Sequence, residues 1–382
     1  MFILIKNGKI YAPQYLGKKS ILISENKIIK VGDIDEETLY QLGVDIKVID
    51  AAESLIFPGL IDPHVHLIGG GGEGGFATRT PEIQLSEIIK SGITTMVGLL
   101  GTDGTTRHMT SLLAKARGLE EEGITTYIYS GNYHVPTPTI TSSIKDDVIL
   151  IDKVIGAGEI AISDSRSAQP SVHELAKLCA EARIGGLLSK KAGVTHFHVG
   201  PGKAYLTLLH QIIDEYEIPP TSIYATHITR SKELVDDAIK LSQKGAYVDI
   251  TADEQTIKWV KYFKENGGRM DRLTISSDGN GSLPKFNEGG ELIGFGVASP
   301  STLFEQLKAV VKGDELSLEE LVPLLTSNTA AALRLNAKGI IEQHADADLI
   351  VINKQTFDLE HVIAKGRLMM RDKKVVVKGT FE

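Results

Sequence analysis

Between residues 55 and 276 short apolar runs alternate with helical patterns, and this alternation constrains the fold more than any other feature of the chain. Residues 55–60, 94–99, 125–129, 160–163, 195–198, 222–225, 247–250 and 273–276 read as strands, and 112–122, 172–182, 205–216, 232–244 and 255–265 as helices between them. Parallel neighbours need a crossover of a dozen residues or more, usually a helix, whereas antiparallel ones need only a turn. The pattern therefore predicts parallel strands, and eight of them favour a closed (β/α)8 TIM-like barrel over an open doubly wound sheet. The glycine-rich run 69–75 is no dinucleotide loop, because it follows a His-x-His strand and neither Gly-Lys-Ser/Thr nor a G-x-G-x-x-G helix start is present.

Both ends have a different texture. Residues 2–6, 20–24, 27–31 and 45–50 are short β-rich runs, with Asn7-Gly8-Lys9 and Glu25-Asn26-Lys27 as hairpin connections, and 347–352, 361–365, 367–370 and 375–378 repeat that texture. The expected organisation is a small β-sandwich domain built from residues 1–53 and 345–382 around a barrel of residues 54–344.

The formal charge of −8 leaves no basic surplus to neutralise phosphates, so nucleic acid is not an expected partner. The single Cys179 cannot form an internal disulfide and reads as a small buried apolar residue, which points to a reducing, cytoplasmic setting. The apolar run at residues 1–6 is too short for a signal-peptide core, and nothing after it approaches a membrane span.

The chemistry begins at Pro58-Gly-Leu-Ile-Asp-Pro-His-Val-His66. Side chains two apart on a strand point the same way, so His64 and His66 can reach one metal ion. Barrel chemistry collects at the C-terminal strand ends. Tyr133 follows the third strand, Glu159 begins the fourth, and His198, His227 and Asp278 end the fifth, sixth and eighth. Four imidazoles with two carboxylates suit a pair of borderline divalent ions, zinc first. A lone histidine is more often structural, but His198 and His227 each end an apolar run just before a loop. His108, His134, His173, His196, His210, His344 and His361 lack that placement and are read as structural, His196 being assigned to the strand face opposite His198. Asp278 also fits a turn residue; its place after the last strand favours a ligand and proton carrier. Tyr133 opens a stretch rich in Pro, Thr and Ser, which reads as a loop closing over a substrate, or simply as a packed loop. Glu73, Arg166 and Arg230 each lie just beyond a ligand strand, and arginine suits carboxylates because its fork binds both oxygens.

Over essentially its whole length the chain resembles the amidohydrolase superfamily and, within it, the isoaspartyl dipeptidases. The resemblance is carried by Asp62-Pro-His-Val-His-Leu-Ile-Gly-Gly-Gly-Gly-Glu73, Val97-Gly-Leu-Leu-Gly-Thr102, Tyr133-His-Val-Pro136, Ala161-Ile-Ser-Asp-Ser-Arg-Ser-Ala168, Phe197-His-Val-Gly200, Thr226-His-Ile-Thr-Arg230 and Ser276-Ser-Asp-Gly-Asn-Gly-Ser282. It implies zinc-dependent hydrolysis of the isopeptide bond in β-aspartyl dipeptides. One zinc would be held by His64, His66 and Asp278 and the other by His198 and His227, with a bridging hydroxide. A carboxylated lysine is the family's usual second bridge, and Glu159 stands at that position here, Lys153 being the nearest upstream lysine. Glutamate and lysine carbamate are both monoanions with two oxygens, so the formal count still leaves about one net positive charge. No carboxylated lysine is therefore expected. Because glutamate is shorter, a mononuclear or weakly loaded site stays open as the alternative.

The resemblance further implies that Glu73 takes the substrate amine, that Arg166 and Arg230 take its two carboxylates, and that Gly71, Thr102 and Ser282 add hydrogen bonds. Asp278 would move the proton, with Tyr133 and one zinc as the oxyanion hole. A homo-octamer is implied as well. The competing readings are a cyclic amidohydrolase of the dihydroorotase or hydantoinase type, whose substrates lack the free amine and paired carboxylates, and a scaffold that has lost catalysis.

Overall fold

The computed structural model describes residues 2–41, 43–286, 292–313 and 316–382. The chain starts with β1 (Phe2–Tyr11), β2 (Tyr15–Ser24), β3 (Lys27–Gly32), β4 (Ile46–Asp50) and β5 (Ser54–Pro58). Next come the barrel strands β6 (Leu60–Val65), β7 (Ile93–Gly98), β8 (Thr125–Ser130), β9 (Val154–Ile162), β10 (Val194–Val199), β11 (Ile223–Thr226), β12 (Tyr247–Thr251) and β13 (Leu273–Ser276). These eight pair in sequence order, every pair parallel, and Val65 bridges Gly279 so that the last strand returns to the first. The fold is a (β/α)8 barrel, with helices on its outside.

Local signals start and stop those helices. Ser171 accepts from the Glu174 amide at the head of the Val172–Ser189 helix, while the Glu174 side chain accepts from the Ser171 amide. Ser231 caps Lys232–Gln243, whose buried Leu234, Val235, Ala238, Ile239 and Leu241 follow the helical period and face the barrel. No described helix is long and apolar enough to cross a membrane.

After β13 a hairpin, β14 (Ser282–Phe286) with β15 (Leu292–Val297), rises beside the open end of the barrel. The chain finishes in β16 (Leu349–Asn353), β17 (Leu359–Ala364), β18 (Arg367–Arg371) and β19 (Lys374–Val375). These join the first five strands in one sheet, ordered β19-β18-β17-β16-β5-β1-β2-β3 with β4 on β1, which forms the small β-sandwich. Its core mixes the two ends of the chain, with Ile3, Ile5, Ile21 and Ile23 packed with Leu349, Val351, Ile363 and Leu368.

Asn7-Gly8-Lys9 is not a hairpin connection but lies inside β1, where the register against β2 shifts between Ile5 and Gly8; two predicted barrel strands also differ from the observed ones. Residues 55–60 are not one barrel strand: Ser54–Pro58 pairs with β1 and β16, and the barrel begins at Leu60. In β5, Leu55 and Phe57 face the barrel core and Ile56 the sandwich core, each burial contributing about 1.5–3 kcal/mol. A strand buried on both faces shows no alternation, so its sheet could not be read locally. The fourth barrel strand starts at Val154 rather than 160, and Glu159 lies inside it instead of beginning it.

Candidate active site

His64, near the end of β6, and His66, just past it, both point into the open end of the barrel. His64 Nε2 is 3.3 Å from Asp278 Oδ1 and 3.5 Å from Glu159 Oε2, and His66 Nε2 is 3.2 Å from Asp278 Oδ1 and 3.6 Å from Glu159 Oε1. His198 Nδ1 and His227 Nε2 approach Glu159 Oε2 at 3.3 and 3.9 Å. The groupings His64–His227–Asp278, His64–His66–Glu159 and Glu159–His198–His227 each keep their ligand atoms within 4.8 Å of one another. Glu159 is the hinge of this arrangement, with one oxygen toward His66 and the other toward three further imidazoles.

These groups fit a pair of divalent cations. His64 Nε2, both oxygens of Glu159 and Asp278 Oδ1 are buried with no hydrogen-bond partner among the described residues. Carboxylates in that condition cost several kcal/mol each unless a cation lies between them. The protonation pattern shows the same demand. Burial favours neutral His64, yet Glu159 and Asp278 overcome it and raise its pKa to about 9. Burial likewise opposes ionisation of Glu159, and His64, His198 and His227 outweigh it and hold the carboxyl well below its ordinary range.

The backbone departs from regular strand where the ligands need it. Gly158 and Glu159 together face His196 across the β9–β10 pairing, a bulge that aims Glu159 at the cluster. Gly158 has φ 144° and a Cβ there would lie 2.8 Å from the His196 carbonyl, so glycine is required. His227 (φ 62°) and Asp278 (φ 53°) are left-handed, a conformation costing about 1–3 kcal/mol in a non-glycine residue and concentrated at functional sites.

A ring of supports that no local sequence pattern marks surrounds the cluster. Asp164 Oδ2 sits 3.0 Å from His198 Nε2, leaving His198 Nδ1 to face Glu159, and the same carboxylate is held by Arg166 at 3.0 and 2.8 Å. Burial opposes ionisation of Asp164, but His198 and Arg166 hold it far below the usual range. His227 Nδ1 is fixed by Thr251 Oγ1 at 2.6 Å, which frees Nε2. Buried Asp249 accepts from Thr226, Thr274 and Ser276 at 2.7, 2.6 and 2.5 Å, tying together the strand ends that carry His227 and Asp278. Asp164 lies in Ala161-Ile-Ser-Asp-Ser-Arg166, two residues before Arg166, but its partner is set only by the fold. The assignment of His196 to the opposite face from His198 is wrong. Residues two apart share a face, and His196 points into the barrel beneath the ligands, its Nε2 2.8 Å from His64 Nδ1.

Above the cluster opens a cavity of about 420 Å³, and Gly71, Glu73, Thr102, Tyr133, Arg166, Arg230 and Ser282 all line it. Glu73 Oε1 accepts from Thr102 Oγ1 and Arg166 Nη1, both at 3.1 Å, and Oε2 accepts from Ser282 Oγ at 3.3 Å. Arg230 is anchored through Nε to the Val199 carbonyl at 2.9 Å. Tyr133 Oη lies 2.8 Å from His198 Nδ1; burial, with Glu159 adding to it, raises its phenol well above the ordinary value, so it stays a donor. Leu283 and Phe295, from the hairpin, give the cavity an apolar wall. The loop after β8, expected either to close over a substrate or to pack, is anchored at residues 140 and 141. Buried Asp147 accepts from the Ile140 and Thr141 amides at 2.9 and 2.7 Å and from the Thr141 and Ser130 hydroxyls at 2.6 and 2.5 Å, which fastens it down.

A parallel barrel with imidazoles and carboxylates gathered at its C-terminal strand ends defines a metal-dependent hydrolase. The family model described as "Amidohydrolase family" matches residues 55–380. A crystal structure of the beta-aspartyl dipeptidase of Fervidobacterium islandicum AW-1 in complex with beta-Asp-Leu is 45% identical, covers 98% of each chain and superposes with a TM-score of 0.91; a second structure of that enzyme gives 43% and 0.90. Among curated sequences, the dihydroorotase of Lactobacillus gasseri is 25% identical over 94% of this chain and 90% of its own length. That of Clostridioides difficile is 38% identical over 92 residues, 24% of this chain and 18% of its own length. The chain belongs to the amidohydrolase family. Its branch is that of the beta-aspartyl dipeptidases, and it is a hydrolytic metallo-dipeptidase.

Proposed function

We propose that the chain hydrolyses the isopeptide bond of β-aspartyl dipeptides with two divalent ions, zinc by the character of the donors. His64, His66 and Asp278 would hold one ion, His198 and His227 the other, and Glu159 would lie between them. The observation that carries this reading is the placement of Glu73, Arg166 and Arg230 around a single cavity over the ligand cluster. Bound ions would supply Lewis acidity and a water acidified toward neutral pH.

The remaining work falls to the chain itself. An α-ammonium and an α-carboxylate on one carbon match the Glu73–Arg166 pair, whose groups meet at 3.1 Å, and Arg230 remains for the carboxylate of the second residue. Tyr133 Oη, still protonated, donates to the oxygen that gains charge in the transition state. Asp278 takes up the proton that the attacking water gives up and returns it to the leaving amine. Glu159 supplies a built-in monoanion where a carbamate would have to be assembled from carbon dioxide.

Zinc-loaded protein prepared without bicarbonate is expected to release aspartate from β-Asp-Leu and not from α-Asp-Leu. Hydrolysis of both peptides, or of neither, counts against the proposal. The dihydroorotase relatives favour one second reading, a cyclic amidase. Turnover of dihydroorotate in the same preparation, with β-Asp-Leu untouched, would establish that reading instead.

The proposal extends to the setting and the assembly. Cys179 is buried and is the chain's single cysteine, which suits a reducing cytoplasm. Ile184, Leu187 and Leu188, spaced i, i+3, i+4 on one helix, are 44%, 51% and 69% exposed. Such a stripe supports a homo-oligomer, an octamer by likeness to the branch. Sedimentation at micromolar concentration is expected to show the assembly, and a monomer would remove this part of the reading.

A further inference from the structure

One layer below the ligands, β10 carries an imidazole that the proposed reaction does not use. His196 is fully buried, and its Nε2 meets Nδ1 of His64 at 2.8 Å. Tyr129 stacks on its ring with centroids 5.0 Å apart, and Tyr224 meets it edge-on at 4.8 Å, so the ring is held in one orientation. Its other nitrogen, Nδ1, is buried with no hydrogen-bond partner among the described residues.

Counting protons assigns it a role. His64 turns Nε2 toward Asp278 and Glu159. A nitrogen that gives its lone pair to a metal carries no proton, so the proton of neutral His64 sits on Nδ1. Nδ1–H then donates to His196 Nε2, which must be the bare nitrogen, and the proton of His196 is confined to Nδ1. Each ring dictates the tautomer of the other. We infer that His196 is a positioning residue for the metal centre: it holds His64 as the Nδ1–H tautomer with Nε2 aimed at the ions, and it does so as a neutral acceptor. The usual acceptors behind a ligating histidine are a carboxylate, a backbone carbonyl or water. A carboxylate would add negative charge beneath a centre that already contains Glu159 and Asp278. A neutral ring leaves the centre's positive surplus for the developing oxyanion.

The inference rests on the proposal that the cluster holds metal, and the dipeptide plays no part in it. The test is zinc affinity by competition with a chromophoric chelator, without substrate, in His196→Phe and His196→Gln. Phenylalanine keeps the ring packed on Tyr129 and removes the acceptor; glutamine returns an acceptor oxygen near the place of Nε2. His196→Phe is expected to bind one of its two zinc ions roughly 10–100-fold more weakly. His196→Gln should stay much closer to the parent, and the metal-free unfolding midpoint of His196→Phe should not fall. Unchanged zinc affinity in His196→Phe, or an equal loss in both variants, overturns the inference. His196→Leu repeats the comparison should the phenylalanine variant fail to fold. Failure of the dipeptidase reading would look different, because the parent chain would then bind two zinc ions and release no aspartate.

Discussion

Asp278→Asn is expected to lower kcat on β-Asp-Leu by about 100- to 10,000-fold, the range that a positioned proton carrier contributes. Of the two ligand carboxylates, Asp278 lines the cavity, whereas Glu159 lies beneath it. The carboxylates of Glu73 and Asp164, which also line the cavity, are engaged with Arg166. Asp278 therefore combines a place among the ligand nitrogens, with Oδ1 3.2 Å from His66 Nε2 and 3.3 Å from His64 Nε2, with a position on the cavity where a leaving amine would arrive. Asparagine keeps the shape and a carbonyl oxygen but cannot accept the proton. Steady-state kinetics at saturating zinc, with metal content measured on the same samples, checks this. Undiminished kcat would move the proton transfer to another group.

Glu159→Gln should remove metal and activity together. The two Glu159 oxygens divide four imidazoles between them, and among the described residues no hydrogen-bond donor supports either oxygen. An amide has the same size but no charge to balance two divalent ions and presents an NH₂ to one of them. The purified variant is expected to hold fewer than two zinc ions per chain and to show a fall in kcat/KM of more than about 100-fold, within the span attributed to metal-supplied charge stabilisation. Bicarbonate should not restore it, since no lysine stands there to be carboxylated. Full zinc content with full activity would take Glu159 out of the centre.

Much of this site was legible because strand geometry is local. The period of two places His64 and His66 on one face whatever the rest of the chain does, and the strand–helix alternation brings His198, His227 and Asp278 to the same end of the barrel. The same rule, applied wrongly, put His196 on the outside of its strand. Glu159 was found by its position before Ile160-Ala-Ile-Ser-Asp164, but its inward aim depends on the Gly158 bulge against β10.

The sequence by itself determined the parallel barrel, the pairing of the two termini and the strand ends that carry the imidazoles and carboxylates, because each follows from a repeating pattern in contiguous residues. Only the tertiary structure decided that Ser54–Pro58 serves the sandwich, that Asp164 locks His198, and that His196 backs His64 from 132 residues away. Those choices depend on which surfaces meet when the barrel closes, and a residue buried on every side leaves no local pattern to reveal its neighbours.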